Sequence, residues 1–341
     1  MPSPLPARTR AALLRARPTL QGAAGVVAAV VLLAGCGLFG GDDPAPATTS
    51  TTRSTTTTTA PPVARSQAPE VLDPGDELRQ ALRVAYTQGD EAQITFTSDL
   101  QITQKNGKRT QRLNSPPISQ TLTYTVGKVG DDGAELTIRI DAIAAKGKGT
   151  GLTQEELDAL DEELQPMVGS EGTGLVTPLG ELQEFAFDVP DGVSETVAAQ
   201  LDALGDQIPA LGPALPSDPV GVGASWRTTS TTSAGGAELE TVSTVTVTAI
   251  TDGTLAYTST IKTSADPQDI ALTGLAEGTT ARLESSDLQG SSSGTMGLEE
   301  PALTLRTRLS GSQVLTFTTA EGATEATQAL EIAYVAGPAP D

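Results

Sequence analysis

From Gln80 onward the chain alternates. In QALRVAY, residues 80–86, Leu82, Val84 and Tyr86 are separated by polar or small residues. That is the two-residue period of a half-buried strand, with a helix over 76–86 as the competing reading. Gln88-Gly89-Asp90 forms a turn, and Ile94 and Phe96 alternate with Thr95 and Thr97 in a second strand. Residues 105–117 are polar, carry Asn106-Gly107 and Pro116-Pro117, and read as a loop. Leu122, Tyr124 and Val126 alternate again; Asp132-Gly133 turns the chain, and Leu136, Ile138 and Ile140 return in a hairpin pattern.

The period then changes. Thr153-Gln154-Glu155-Glu156 has the spacing of a capping box, with Leu152 and Leu157 placed for a hydrophobic staple. Leu157, Leu160 and Leu164 share one helical face, and Pro166 ends or kinks the helix. Asp158, Asp161, Glu162 and Glu163 form its solvated face, and no glycine-centred calcium loop accompanies them. Residues 173–189 are extended, with a break at Pro178 and Gly180. Ser194 caps a second helix carrying Val197, Leu201, Leu204 and Ile208, with Gly205 near its end. The connector IPALGPALPSDP cannot continue it.

Pro219-Val-Gly-Val-Gly-Ala-Ser-Trp226 is the most distinctive internal motif. It lacks the lysine and the following helix of a phosphate loop. Gly221 and Gly223 supply a turn that opens a strand, and Trp226 packs against the sheet. Strands follow over the VTVTAI run after Val242, at Leu255–Ser259 beyond Asp252-Gly253, and at 279–288. A Gly/Ser stretch, 290–297, reads as a mobile loop. Strands at 303–309, 314–318 and 330–335 complete the set, with Glu321-Gly322 turning before the last.

Two stretches of the chain share an order of features. GDEAQITFT at 89–97 aligns with GASWRTTST at 223–231, Asp132-Gly133 with Asp252-Gly253, and Gly172, Leu175, Pro178 and Leu182 with Gly294, Leu298, Pro301 and Leu305. This predicts an internal duplication, two related halves at about 80–190 and 219–336. QALRVAY at 80–86 and QALEIAY at 328–334 are similar enough to suggest that the end strands pair and hide sheet edges. The expected fold is therefore mainly β, an antiparallel curved sheet or half-barrel with two short amphipathic helices.

The N-terminal 35 residues follow a different logic. Arg8, Arg10, Arg15 and Arg17 precede an uncharged run from Gly22 to Gly35, which is shorter than a membrane-spanning helix needs. Leu33-Ala34-Gly35 leads directly into Cys36, the single cysteine of the chain. This resembles the lipobox of bacterial lipoproteins. The resemblance implies cleavage before Cys36, with that residue as the lipid attachment point and the membrane as its partner. Residues 1–35 are then a signal peptide. Residues 36–70 are the lipidated cysteine and a Thr/Pro-rich tether without apolar periodicity, and 71–341 a β-rich extracytoplasmic domain. With the 219–226 motif and the Thr-rich strands around it, the chain also resembles a bacterial lipoprotein family to which no activity is assigned.

Charge and composition narrow the chemistry. The full chain carries a net charge of −21; without the four arginines of residues 1–35 it becomes 17 − 42 = −25. Such a surface repels nucleic acid. Histidine is absent, which removes Ser-His-Asp and Cys-His catalysis and His-ligated zinc. No catalytic, cofactor or metal motif emerges; Pro219, Gly221, Gly223 and Trp226 are singled out as a structural motif. The acids fall in turns and on helix faces, with no apolar setting to raise a carboxyl pKa.

The strand-rich body with two striped helices resembles lipid-carrying lipoproteins of the envelope, in which a half-barrel closes over acyl chains. It implies a non-catalytic module for a lipid or other hydrophobic ligand. A structural or protein-interaction lipoprotein without a cavity is the alternative, and an enzyme using carboxylates a third. A mass spectrum of the mature N-terminus tests the anchor: it is expected to begin at an acylated Cys36, and an intact Met1 end contradicts it.

Overall fold

The computed structural model describes residues 65–339, apart from residues 108, 148–149, 151, 191, 235–236, 272–274 and 276–277. The expected signal peptide, Cys36 and residues 37–64 of the expected tether lie outside the described residues. The strands are β1 (Arg65–Ser66), β2 (Glu70–Asp73), β3 (Glu91–Asn106), β4 (Arg109–Asn114), β5 (Ile118–Gly130), β6 (Gly133–Ala145), β7 (Glu171–Val176) and β8 (Leu182–Phe187). They continue as β9 (Ser225–Ala234), β10 (Ala237–Thr251), β11 (Thr254–Ala265), β12 (Gln268–Ile270), β13 (Thr280–Gly297), β14 (Leu303–Thr319) and β15 (Gly322–Pro338). Two helices, α1 (Gln154–Leu164) and α2 (Glu195–Gln207), each run into a short 3-10 turn that contains a proline.

All strands join one antiparallel sheet, ordered β1-β9-β10-β11-β13-β14-β15-β3-β5-β6-β7-β8. The expected mainly-β fold with two short helices is the observed one. The sheet does not close: β8 forms one edge, and β1 and β2 line β9 at the other. It is nonetheless strongly curved. Buried residues of β9–β11 (Trp226, Val247, Leu255) and of β5–β6 (Leu122, Ile138, Ile140) belong to one apolar cluster together with Leu164 and Leu201 of the helices. Both flanks of the sheet thus face a common interior.

Local chemistry explains the elements. Thr153 caps α1 through a reciprocal capping box with Glu156, and Leu157, Leu160 and Leu164 are the buried face. The Ser194 hydroxyl accepts from the Val197 amide at the start of α2. Strands β3 and β13–β15 run 16–18 residues, about 55 Å at some 3.3 Å per residue. Their inner faces are banded. Ala281, Leu283, Leu315, Phe317 and Ala326 form an apolar patch towards one end. Next comes a buried polar row, Ser286–Gln313–Gln328–Gln104, in register across four strands. Gln313 donates to Gln328, whose amide donates at 3.2 Å to Gln104. Beyond it Leu288, Leu330 and Ile102 make a second apolar row, again in register, with Gly311 between the first two.

Several expectations are corrected. Residues 290–297 are not a mobile loop but the end of β13. A Cβ on Gly290 would sit 1.9 Å from the Arg308 carbonyl oxygen, and one on Gly294 2.0 Å from that of Thr304. Glycine is required because the neighbouring strand closes in at a sharp bend, so a loop-like composition marks curvature. Residues 109–114 within the expected 105–117 loop pair with β3 as a hairpin across Gly107, whose φ is +56°. Most of that hairpin is solvent-exposed, which erased the apolar alternation. The strands expected at 303–309 and 314–318 are one, β14. Residues 65–66 and 70 of the expected tether already pair with β9.

QALRVAY is extended, but it is not a sheet strand. Gln80 bridges Val220, the Val84 amide donates to the Pro178 carbonyl and the Ala85 amide to that of Leu298. Leu82 and Val84 are buried among the turns that end β7 and β13. The expected pairing with 328–334 is absent; β15 pairs there with residues 98–104 of β3. Its long alternating register outcompetes a seven-residue segment whose amides are already used elsewhere.

Trp226 is fully buried, and its indole N–H donates to the Ala214 carbonyl at 2.9 Å. Trp226→Ala is expected to lower unfolding free energy by about 3–5 kcal/mol, and Trp226→Phe by about 1–2 kcal/mol through smaller volume and the lost bond. Urea denaturation measures both; equal, small losses contradict the packing described.

Candidate functional site

The motif found in sequence is a structural clasp. Val220 exchanges two backbone hydrogen bonds with Gln80, each 3.0 Å, and the Gly221 amide donates to the Pro74 carbonyl. A Cβ on Gly221 would lie 2.3 Å from the Asp76 carbonyl oxygen, so only glycine lets the two segments approach. Gly223 has φ +83° in the following turn, and Pro219 opens the segment just before the Val220 bridge. With Trp226 bonded to Ala214, the motif ties residues 74–80, the proline-rich connector and β9 together. None of its residues lines a pocket among those found. Cys36 lies outside the described residues.

A different place carries site-like chemistry. Strand β3 pairs with β5 from Glu91 to Ser98 and with β4 from Gln101 to Asn106. Asp99 and Leu100 sit at the fork between the two partners. On the concave side, beneath α1 and α2, the fork opens into a cavity of about 50 Å³. Its apolar wall is Leu100, Ile118, Ile143, Leu164, Met167 and Leu204, with Ile332 and Tyr334 from β15.

Its polar groups are three glutamines, Gln120, Gln200 and Gln207, with Ser98, Ser115 and Asp99 towards the fork. Gln200 is 4% exposed, yet neither amide atom has a hydrogen-bond partner among the described residues. Gln120, at 8% exposure, has an unpartnered Oε1. Buried polar groups are normally paired, because an unmade bond costs about 1–3 kcal/mol. Two such amides face one apolar cavity, and Gln200 is the side chain with two unpartnered atoms among the described residues. Neither had been singled out in sequence. The signal was present: Gln200 interrupts the apolar stripe Val197–Leu201–Leu204–Ile208, and Gln120 the alternation Ile118–Leu122–Tyr124–Val126.

A second, polar groove of about 310 Å³ lies beside the fork, lined by Asp99, Gln101, Thr103, Arg112 and Glu331 among others. These residues alternate with inward-facing Ile102, so the groove is on the convex side.

The titrating groups are mostly structural. Burial pushes the Tyr86 and Tyr257 hydroxyls up to about 12 and Tyr124 higher still. Burial also pushes the Asp141 carboxyl up, but hydrogen bonds from Thr123, Arg139 and Gln93 outweigh it and hold it below its ordinary value. Asp206, on the exposed face of α2, is raised by partial desolvation and by Asp202. It does not line the cavity. Among the described residues no cluster of three His, Cys, Asp or Glu is placed to hold a metal.

No protein-family model matches the chain, and no curated protein matches it. Among solved structures, an outer membrane channel from Pseudomonas putida F1 aligns over 74% of this chain and 97% of its own, at 7% identity and a TM-score of 0.15. That score is too low to assign a shared fold.

Gln200→Met keeps the side chain's length and removes the unpaired amide. It is expected to raise the stability of the ligand-free protein by about 1–3 kcal/mol, read as a higher thermal midpoint. A clear loss of stability would show that the amide is satisfied where it sits.

Proposed function

We propose that this chain is a lipid-anchored, extracytoplasmic and non-catalytic lipoprotein that binds a hydrophobic ligand in the concave face of its sheet. Acyl chains on Cys36 hold it at the cell membrane, and residues 37–64 space the body from the bilayer. The anchor rests on Arg8–Arg17, the apolar run and Leu33-Ala34-Gly35-Cys36. The binding role rests on one observation above the others: Gln200, buried and unpaired, faces an apolar cavity roofed by two helices. The acidic body keeps nucleic acid out of its partners.

The cavity is narrow in this state. Its volume of about 50 Å³ is well below the 300–1,000 Å³ of ordinary ligand sites, so occupation requires the roof to lift. Helix α2 is the element that moves. It contributes Gln200, Leu204 and Gln207 to the cavity and is bounded by Gly192, with φ +80°, and the proline turn Ile208–Ala210.

The small volume also favours a second reading, a structural or interaction lipoprotein whose core is simply filled. Native mass spectrometry of the full chain, expressed in a bacterium and purified without added lipid, separates the two. A stoichiometric adduct in the lipid mass range, beyond any acyl modification at Cys36 and lost in Leu204→Phe, is the expected result. A bare chain that also takes up no added lipid selects the interaction reading. Circular dichroism of Leu204→Phe establishes that it is folded, since overpacking costs about 1–3 kcal/mol.

A further inference from the structure

The polar inventory of the cavity specifies more than greasiness. Gln200 brings an N–H donor pair and a carbonyl acceptor into the apolar wall, and Gln120 adds a second unpaired acceptor. Either orientation of the Gln200 amide leaves both a donor and an acceptor in that wall. Asp99 sits at the rim of the fork with its side chain on the convex face, and among the described residues no lysine or arginine lines the cavity.

Resting on the reading of this cavity as a ligand site, we infer that its ligand is a neutral acyl amide or hydroxyl-bearing acyl ester, not a fatty acid or an anionic lipid. The carbonyl of such a group accepts from Gln200 Nε2. Its amide N–H or hydroxyl donates to Gln200 Oε1 or Gln120 Oε1, while the hydrocarbon lies against Ile118, Leu164 and Leu204. An ionised carboxylate offers acceptors only. It leaves both glutamine acceptors unmet and enters an apolar wall without a counter-charge, in a setting where desolvating a charge is costly. An alkane leaves every amide unpaired. Ordered water is the remaining way to satisfy the glutamines, and the test separates it from a ligand.

The experiment is calorimetric titration of the full chain with three probes of equal chain length: an N-acylethanolamine, the fatty acid and the alkane. The pH is held well above the fatty acid's pKa and each probe is kept below its aggregation limit. The N-acylethanolamine is expected to bind about tenfold tighter than either competitor, the scale of one good hydrogen bond in a dry site. Gln200→Met is expected to erase that preference while leaving alkane binding unchanged or stronger. Gln120→Met serves the same purpose should the first variant fail to fold. Equal affinities for all three probes, or tighter binding of the fatty acid, overturn the inference but leave a hydrophobic site standing. No binding of any probe to folded protein overturns both, and assigns the glutamines to water.

Discussion

The pairing of β15 with β3 is the constraint on which the rest of the structure depends. It joins the last strand to the first long one over twelve residue pairs, from Thr327↔Lys105 to Pro338↔Ile94. Without it the sheet is two separate meanders, β3-β5-β6-β7-β8 and β9-β10-β11-β13-β14-β15. Its contacts span more than 220 residues of chain, as in the bond from Gln328 to Gln104. Closing so long a loop costs on the order of 5 kcal/mol in its logarithmic part alone. Cross-strand pairs at a few tenths to about 1 kcal/mol each offset that only when many form together. Length and uninterrupted alternation in both strands are therefore required.

The same seam creates the cavity. It sets Ile332 and Tyr334 of β15 opposite Leu100 and Ser98, just where β3 changes partner from β5 to β4. The change leaves a short gap in the pairing, and the helices cover it from the concave side. Nearby, the buried Gln104–Gln328–Gln313 row bonds in register, with Gln313 Oε1 left without a partner among the described residues. Gln200 and Gln120 lie outside that ladder and have no such partners. Gln200 differs from every other buried glutamine among the described residues in that both of its amide atoms are buried and lack a partner.

Much of this was readable beforehand. Period-two alternation and Asp-Gly turns located most strands, the Thr153 box and Ser194 cap located both helices, and Trp226 was correctly expected in the core. Misreadings arose where tertiary context reverses a local signal. Gly290 and Gly294 look like a loop but are demanded by a neighbouring backbone, and Leu82 and Val84 alternate like a strand while the amides of Val84 and Ala85 bond to turns. The cavity was invisible for a related reason. A glutamine within an apolar stripe is ordinary in sequence; only the folded chain shows that nothing meets it.

Hydrogen exchange on the full chain, with and without a saturating N-acylethanolamine, tests the central claim that the space beneath α2 is a ligand site. Ligand is predicted to slow exchange in Glu195–Gln207 and at residues 98–100, and to leave the β13–β14 seam unchanged. Identical exchange in both states, or a change confined to the convex groove beside Arg112, would contradict it.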